Sequence, residues 1–189
     1  MVEQQNIDWD YIRSKIPYKK NPEEKLRRRE LWKCIDINKN KIVSLAEMDK
    51  ALRDAFGLAD SVFDCKPAIN RAFHVSKNYC KAKHEKGDDY IERKEFRVFL
   101  YFLRQYFEYY QAFARISTDD DRRIDLEEFV AAKDMIELWT GKTLDDPEAT
   151  FNEIDKNGGG KILFDEFVDW ASKVELDLED DDSSCDEKE

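Results

Sequence analysis

Glycine and proline are scarce in this sequence, and their scarcity predicts regular elements with short connections. Only six glycines and four prolines interrupt the chain, while apolar residues recur at helical spacing in nearly every window. This spacing favours an all-α fold in which β-structure is limited to short pieces.

Features of membrane proteins, secreted proteins and enzymes are also missing. No apolar run approaches the length of about 18 residues that a membrane helix needs, and no signal peptide opens the chain. The four cysteines form no Cys-x-x-Cys pair, which indicates reduced thiols. There is no Ser-His-Asp or Cys-His constellation, no P-loop and no dinucleotide fingerprint, and the two histidines look like ordinary side chains. We therefore expect a cytoplasmic protein that is not an enzyme.

The charge is large and unevenly distributed. The net charge of −11 argues against nucleic acid as a partner. Residues 177–189 contain eight carboxylates and one lysine, a composition typical of a disordered acidic tail. By contrast, the basic segment that begins at Arg13 and ends at Lys33 contains nine basic residues and three glutamates. This segment is either the solvated face of a first helix or a surface that binds weakly to an anionic membrane or an acidic partner.

One pattern occurs four times: an apolar helix, a short polar loop, and a glutamate that opens another apolar helix. Its clearest copy, hand 4, reads DKNGGGKILFDE over residues 155–166. An EF-hand calcium loop needs oxygen ligands at positions 1, 3 and 5, a backbone carbonyl at position 7, a bidentate glutamate at position 12 and glycine at position 6. The ligand positions of hand 4 hold Asp155, Asn157, Gly159, Lys161 and Glu166. Because Gly159 has no side-chain oxygen, water would have to replace it as a ligand.

Two further loops keep most of the ligand pattern but have no glycine at position 6. In hand 1, residues 36–47, position 6 is Lys41, and a left-handed conformation there costs on the order of 1 kcal/mol or more. The candidate ligands of hand 1 are Asp36, Asn38, Asn40, Ile42, Ser44 and Glu47. In hand 3, residues 117–128, Ser117 replaces the usual aspartate at position 1 and Arg122 stands at position 6. The candidate ligands of hand 3 are Asp119, Asp121, Arg123, Asp125 and Glu128.

The remaining copy, hand 2, spans residues 84–95 and has His84 and Lys86 at positions 1 and 3, so we do not expect it to bind calcium. Position 8 is isoleucine or valine in all four loops, namely Val43, Ile91, Ile124 and Ile162. These residues are expected to meet in short β bridges between paired hands. A helical protein with unrelated acidic turns would not repeat them.

A strongly aromatic helix is expected over residues 96–113, and it is apolar nearly all round. It is either packed between two lobes or forms part of a groove for a target. The packed arrangement predicts four EF-hand-like units in two packed lobes. The expected divisions are an N-terminal helix and basic segment (1–21), a lobe of hands 1 and 2 (22–104), a lobe of hands 3 and 4 (105–176) and a disordered acidic tail (177–189).

Four stretches carry a more specific resemblance. They read WDYIRSKIP over residues 9–17, KLRRREL over 25–31, IERKEFRVF over 91–99 and FNEIDKNGGGKILFDEFVDWA over 151–171. The chain resembles the flagellar calcium-binding proteins, or calflagins, of trypanosomatid protozoa from about residue 9 to residue 171. The resemblance implies a compact pair of EF-hand lobes after an N-terminal helix, with calcium sites in hands 3 and 4.

The N-terminus departs from that family. Its members attach to the flagellar membrane by acylation of an N-terminal glycine and a nearby cysteine. Here position 2 is Val2 and no cysteine precedes Cys34. We therefore expect a chain without N-terminal acylation.

The expected function is calcium binding coupled to a conformational change. In a calcium sensor, the ion draws the glutamate of position 12 inward, which rotates the following helix and exposes an apolar groove for a protein partner. The alternative is a structural module that keeps the EF-hand shape with little or no calcium binding. The resemblance adds an expected association with the flagellum.

Overall fold

The computed structural model describes residues 14–56, 66–79, 89–119 and 121–178, of which residues 53–56 are described by their backbone alone. The expected acylation status, residues 179–189 of the acidic tail and the first half of the hand 2 loop lie outside these ranges. Within them, the chain forms eight labelled helices and two three-residue strands. In chain order these are α1 (Pro22–Ile35), β1 (Ile42–Ser44), α2 (Leu45–Phe56), α3 (Lys66–Tyr79), β2 (Tyr90–Glu92), α4 (Phe96–Ile116), α5 (Leu126–Ala131), α6 (Lys133–Thr140), α7 (Pro147–Ile154) and α8 (Phe164–Val174).

The chain divides into two units, residues 1–107 and 108–189. Among the described elements, the first unit contains α1, β1, α2, α3, β2 and the first half of α4. The second contains the remainder of α4 and the helices α5 to α8. The all-α prediction is confirmed, and no described helix is long and apolar enough to cross a membrane.

The helices that lead into hands 1 and 4 begin in the same way. At α1, the side chain of Asn21 accepts a hydrogen bond from the backbone N–H of Glu24, and proline occupies the first turn. At α7, Asp146 caps the helix in the same manner, again followed by proline. Both are standard helix starts. Each helix ends immediately before the aspartate at position 1 of its loop.

The loops pair through their eighth positions, as the sequence predicts. In the first unit, Val43 of β1 lies opposite Ile91 of β2 in an antiparallel pair. In the second unit, Ile124 and Ile162 exchange two backbone hydrogen bonds of 3.0 and 2.8 Å. All four side chains are fully buried. Each bridge therefore holds two loops side by side within its unit.

Helix α4 contributes aromatic and aliphatic side chains to the core of each unit. In the first unit, Phe96 packs edge-on against Trp32 with ring centroids 5.1 Å apart. In the second, Phe113 makes edge contacts with Phe164 and Phe167, each at 5.5 Å. Burial of a phenylalanine side chain stabilises a fold by roughly 1.5–3 kcal/mol. These contacts favour a core role for the aromatic helix.

Candidate metal centre

The glutamate at position 12 of every loop bonds back to the residue three positions before it. In each hand its Oε2 atom accepts a hydrogen bond from the backbone N–H of position 9, at 2.8–3.0 Å. The donor and acceptor pairs are Ser44 and Glu47, Glu92 and Glu95, Asp125 and Glu128, and Leu163 and Glu166. In hands 1, 3 and 4 the glutamate is the third residue of the following helix, and this bond is the reciprocal half of a capping box; in hand 2, Glu95 immediately precedes α4. In hands 1, 3 and 4, one carboxylate therefore serves both the helix start and the expected metal site.

Hand 4 brings its principal candidate ligands into one hydrogen-bonded loop. Asp155 is only 8% exposed, and its two oxygens accept hydrogen bonds from the backbone N–H groups of Gly159 at 3.1 Å and Gly160 at 2.8 Å. The Oε1 atom of Glu166 accepts from the backbone and side-chain nitrogens of Asn157 at 3.1 and 2.8 Å. Positions 1, 3 and 12 are thus held by hydrogen bonds within the loop.

Backbone conformation separates hand 4 from hand 1. Its positions 4 and 6 are Gly158 and Gly160, both left-handed with φ of 67° and 75°. In hand 1 the same positions are Lys39 and Lys41, with φ of 57° and 67°. A non-glycine residue in this region costs roughly 1–2 kcal/mol. The sequence analysis identified the need for glycine at position 6. It missed the same need at position 4, although Gly158 stands there in the sequence.

In hand 1, a buried carboxylate oxygen has no partner. Asp36 is 8% exposed, and its Oδ2 accepts from the indole N–H of Trp32 at 3.2 Å and from the backbone N–H of Lys41 at 3.1 Å. Its Oδ1 atom is buried without a hydrogen bond. Buried oxygens are rarely left unsatisfied, so this atom is available for a cation at loop position 1.

In hand 3, two candidate carboxylates each bind a different neighbouring residue. Asp121 Oδ2 lies 2.5 Å from the ammonium of Lys161, a residue of hand 4. The hydrogen bond from Lys161 lowers the pKa of Asp121, and the same contact raises the pKa of Lys161. Glu128 Oε1 accepts from the backbone N–H and the hydroxyl of Thr118 at 2.7 and 3.0 Å. The hydroxyl of Ser117 at position 1 is buried and unpartnered, so a cation would gain one oxygen there but would compete with Lys161 for another.

In hand 2, a lysine pairs with the glutamate at position 12. Glu95 at position 12 is fully buried, and the ammonium of Lys77 lies 3.1 and 3.0 Å from its two oxygens. Lys77 belongs to α3, eighteen residues earlier in the chain. Sequence reasoning missed it, because an ion pair over that separation leaves no local pattern.

The donor chemistry fits a hard divalent cation. Within the described ranges, no three histidine, cysteine, aspartate or glutamate side chains converge to hold a metal. Hand 4 nevertheless offers two carboxylates, an amide oxygen and a backbone carbonyl, which is the all-oxygen set that calcium prefers. The unpartnered oxygens of Asp36 and Ser117 fit the same kind of ion.

Comparison with known proteins identifies the family. The family model described as FCaBP EF-hand domain matches residues 12–103, and the one described as EF-hand domain pair matches residues 106–172. The flagellar calcium-binding protein of Trypanosoma cruzi is 34% identical over 174 residues, which cover 92% of this chain and 82% of that protein. The chain belongs to the flagellar calcium-binding protein family. The resemblance seen in the sequence is thereby confirmed.

Other proteins of this flagellar calcium-binding family are similar at the same level. Flagellar calcium-binding protein TB-24 of Trypanosoma brucei brucei is 32% identical over 173 residues, covering 91% of this chain and 79% of that protein. Among solved structures, a homologue of programmed cell death 6 protein from Leishmania major Friedlin shows 18% identity and a TM-score of 0.42, over 86% of this chain and 79% of that chain.

Proposed function

We propose that this chain binds calcium through its EF-hand loops, with hand 4 as the principal site. The observation that carries the proposal is the arrangement of that loop. Gly158 and Gly160 adopt the left-handed positions without strain, and the buried Asp155 and the glutamate Glu166 are already held within the loop. Hands 1 and 3 are weaker candidate sites, because each has non-glycine residues in left-handed conformations.

The affinity should lie near the weak end of the range for calcium sensors. Affinity in EF-hands rises with the number of charged ligands. Hand 4 supplies only two carboxylates, Asp155 and Glu166. We expect a dissociation constant of about 10⁻⁵ M or weaker.

Isothermal titration of the full chain with calcium tests the proposal, with magnesium as the control ion. We expect one dominant calcium site, a higher melting temperature in calcium than in chelator, and a smaller effect of magnesium. If calcium produces neither heat nor a shift in melting temperature, the protein is a structural module and the proposal fails.

We further propose that calcium binding is read by a protein partner. When the ion engages both oxygens of Glu166, it pulls on the first turn of α8, whose Trp170 packs against Phe129 and Phe167 with ring centroids 6.1 and 5.7 Å apart. Tryptophan emission should therefore report a rotation of α8. A Trp170→Phe variant should lose this response, which assigns it to α8, because the other three tryptophans remain.

The alternative function, a structural module, draws support from hands 2 and 3. In these hands, the ammonium groups of Lys77 and Lys161 already neutralise carboxylates that calcium would otherwise engage. Both functions can hold if hand 2 is permanently structural and hand 4 responds to the ion. The number of calcium ions bound in the titration shows how many hands respond.

The proposed location is the cytoplasm, in association with the flagellum; the names of the family members support the flagellar association.

We also propose that residues 13–33 make a weak electrostatic contact with anionic membranes. Flotation with anionic and neutral vesicles tests this contact. Binding to anionic vesicles should disappear at high salt, and strong binding to neutral vesicles would contradict the electrostatic account.

Replacement of Gly159 by aspartate should tighten calcium binding to hand 4, because it adds a charged oxygen at position 5. The added Cβ would lie 2.5 Å from Asn157 Oδ1, so the side chain of Asn157 must move. Gly159→Ala is the matched control, since it introduces the same crowding without a ligand. We expect a tighter dissociation constant for the aspartate variant than for the alanine variant in parallel titrations. Equal affinities would show that water already serves as the ligand.

Replacement of Lys161 by glutamine should strengthen calcium binding to hand 3. The change removes the ammonium that lies against Asp121 and leaves the backbone carbonyl of position 7 in place. A second calcium equivalent should then become measurable by titration. Lys156→Gln is the control, because Lys156 pairs with Asp169 outside the candidate ligands. An unchanged stoichiometry would show that Ser117, rather than the lysine, limits hand 3.

A further inference from the structure

A basic pocket lies in the first unit, outside the candidate metal ligands. Helix α1 forms one side of it, and the turn between β2 and α4 with the first turn of α4 forms the other. Their basic residues are Lys25, Arg28, Arg29, Arg93, Lys94 and Arg97. The cavity has a volume of about 460 Å³.

Most of these charges lack a carboxylate partner. Among the described residues, no ion pair involves Lys25, Arg29, Arg93 or Arg97, whereas Lys94 pairs with Glu92 at 3.3 Å. Acidic residues outnumber basic ones in this chain by 43 to 32. An unpaired basic cluster is therefore not a consequence of composition, and its charges are available to an external anion.

The crowding of like charges is unfavourable in the free protein. Burial lowers the pKa of Arg28, and the positive charge of Arg97 lowers it further, while Glu24 opposes both effects. Arg28 is held in place by donating hydrogen bonds to the backbone carbonyls of Pro17 at 3.1 Å and Lys19 at 2.6 Å. A bound anion would relieve this repulsion.

The wall of the pocket includes two packed aromatic rings, and its chemistry favours phosphate. Two buried aromatic residues, Trp32 and Phe96, line it and pack against each other at 5.1 Å. Four of its six basic residues are arginines, whose planar guanidinium groups match phosphate oxygens in a bidentate manner. The volume falls in the range of about 300–1,000 Å³ found for small-ligand pockets.

We propose that this pocket binds a compact anion that carries more than one phosphate group. The chemistry is shared by free inositol phosphates and by the headgroups of phosphorylated inositol lipids. The proposal does not depend on calcium. It also goes beyond a diffuse contact of residues 13–33, because half of the basic residues come from Arg93, Lys94 and Arg97.

Titration of the full chain with inositol trisphosphate tests the pocket, with orthophosphate as the single-phosphate comparison. The variant pair on α1 is Lys25→Gln with Arg29→Gln, and the charge-matched control is Arg27→Gln with Lys33→Gln on the same helix outside the pocket. A third variant, Arg93→Gln with Arg97→Gln, removes charge from the opposite side. Far-UV circular dichroism verifies that each variant is folded.

We expect both pocket variants to weaken inositol trisphosphate binding by about tenfold or more, because each removes two charge-assisted contacts. The control pair should change it by no more than about twofold. Orthophosphate should bind less tightly than inositol trisphosphate. Equal losses in the pocket and control variants, or an absence of binding to every phosphate probe and vesicle, would overturn the proposal.

Vesicles distinguish the source of the phosphates. One set contains phosphatidylcholine with phosphatidylinositol bisphosphate, and the other contains phosphatidylcholine with phosphatidylserine at equal total charge. Binding to the free trisphosphate that exceeds binding to both vesicle sets would identify a free anion as the ligand. Preference for the bisphosphate vesicles would identify a lipid headgroup. If an oligoglutamate peptide binds as tightly as the trisphosphate, the pocket recognises acidic peptides and the phosphate proposal is wrong.

Discussion

Replacement of Lys77 by methionine should destabilise the first unit by about 3–5 kcal/mol, because it removes the ammonium partner of a buried carboxylate. Glu95 is fully buried, and both of its oxygens lie near the ammonium of Lys77. Equilibrium denaturation in urea, followed by circular dichroism, measures the loss.

Two further variants make this result specific. Lys94→Met removes a partly exposed ion pair with Glu92 in the same hand and should cost no more than about 1 kcal/mol. The double variant Lys77→Met with Glu95→Gln removes both charges and should recover most of the stability. A loss in the double variant as large as in Lys77→Met would show that packing of the lysine chain, and not its charge, stabilises hand 2.

Replacement of Glu166 by glutamine should remove most of the calcium binding. The change eliminates one of only two carboxylates in the principal loop, and we expect the affinity to fall by at least about tenfold. The amide oxygen of glutamine can still accept the hydrogen bond from the backbone N–H of Leu163, so α8 should keep its first turn. Calcium titration measures the binding, and circular dichroism verifies the helix.

The equivalent change in hand 3, Glu128→Gln, provides the comparison. Both glutamates cap their helices in the same way, at 3.0 Å from the backbone N–H of position 9. The two variants therefore make the same change at position 12 of two different loops. If Glu128→Gln abolished binding while Glu166→Gln left it intact, hand 3 would be the principal site.

Local patterns predict much of this fold. The pairing of Val43 with Ile91 follows from the repeat of an apolar residue at position 8, because EF-hand loops meet there. The left-handed conformation of Lys41 follows from its position in the loop. Such features depend on residues close together in the sequence, where spacing carries the information.

The partners of the carboxylates could not be predicted in the same way. Lys77 and Glu95 are eighteen residues apart, and Asp121 and Lys161 are forty residues apart. Whether a lysine reaches a given carboxylate depends on how the helices pack and on the rotamers of long side chains. The expected calcium affinity of each hand therefore depends on contacts in the folded chain as well as on the identity of its loop residues.

Because each position 12 glutamate accepts a hydrogen bond from the backbone N–H of position 9, that amide can report whether its hand has bound calcium. The backbone N–H groups of Ser44, Glu92, Asp125 and Leu163 donate hydrogen bonds to the glutamate Oε2 atoms. An ion that engages both oxygens of a glutamate should alter this bond. Hydrogen exchange at Leu163 should consequently respond to calcium, while exchange at Glu92, whose glutamate is paired with Lys77, should not. The four amides thus give a reading of occupancy hand by hand within a single molecule.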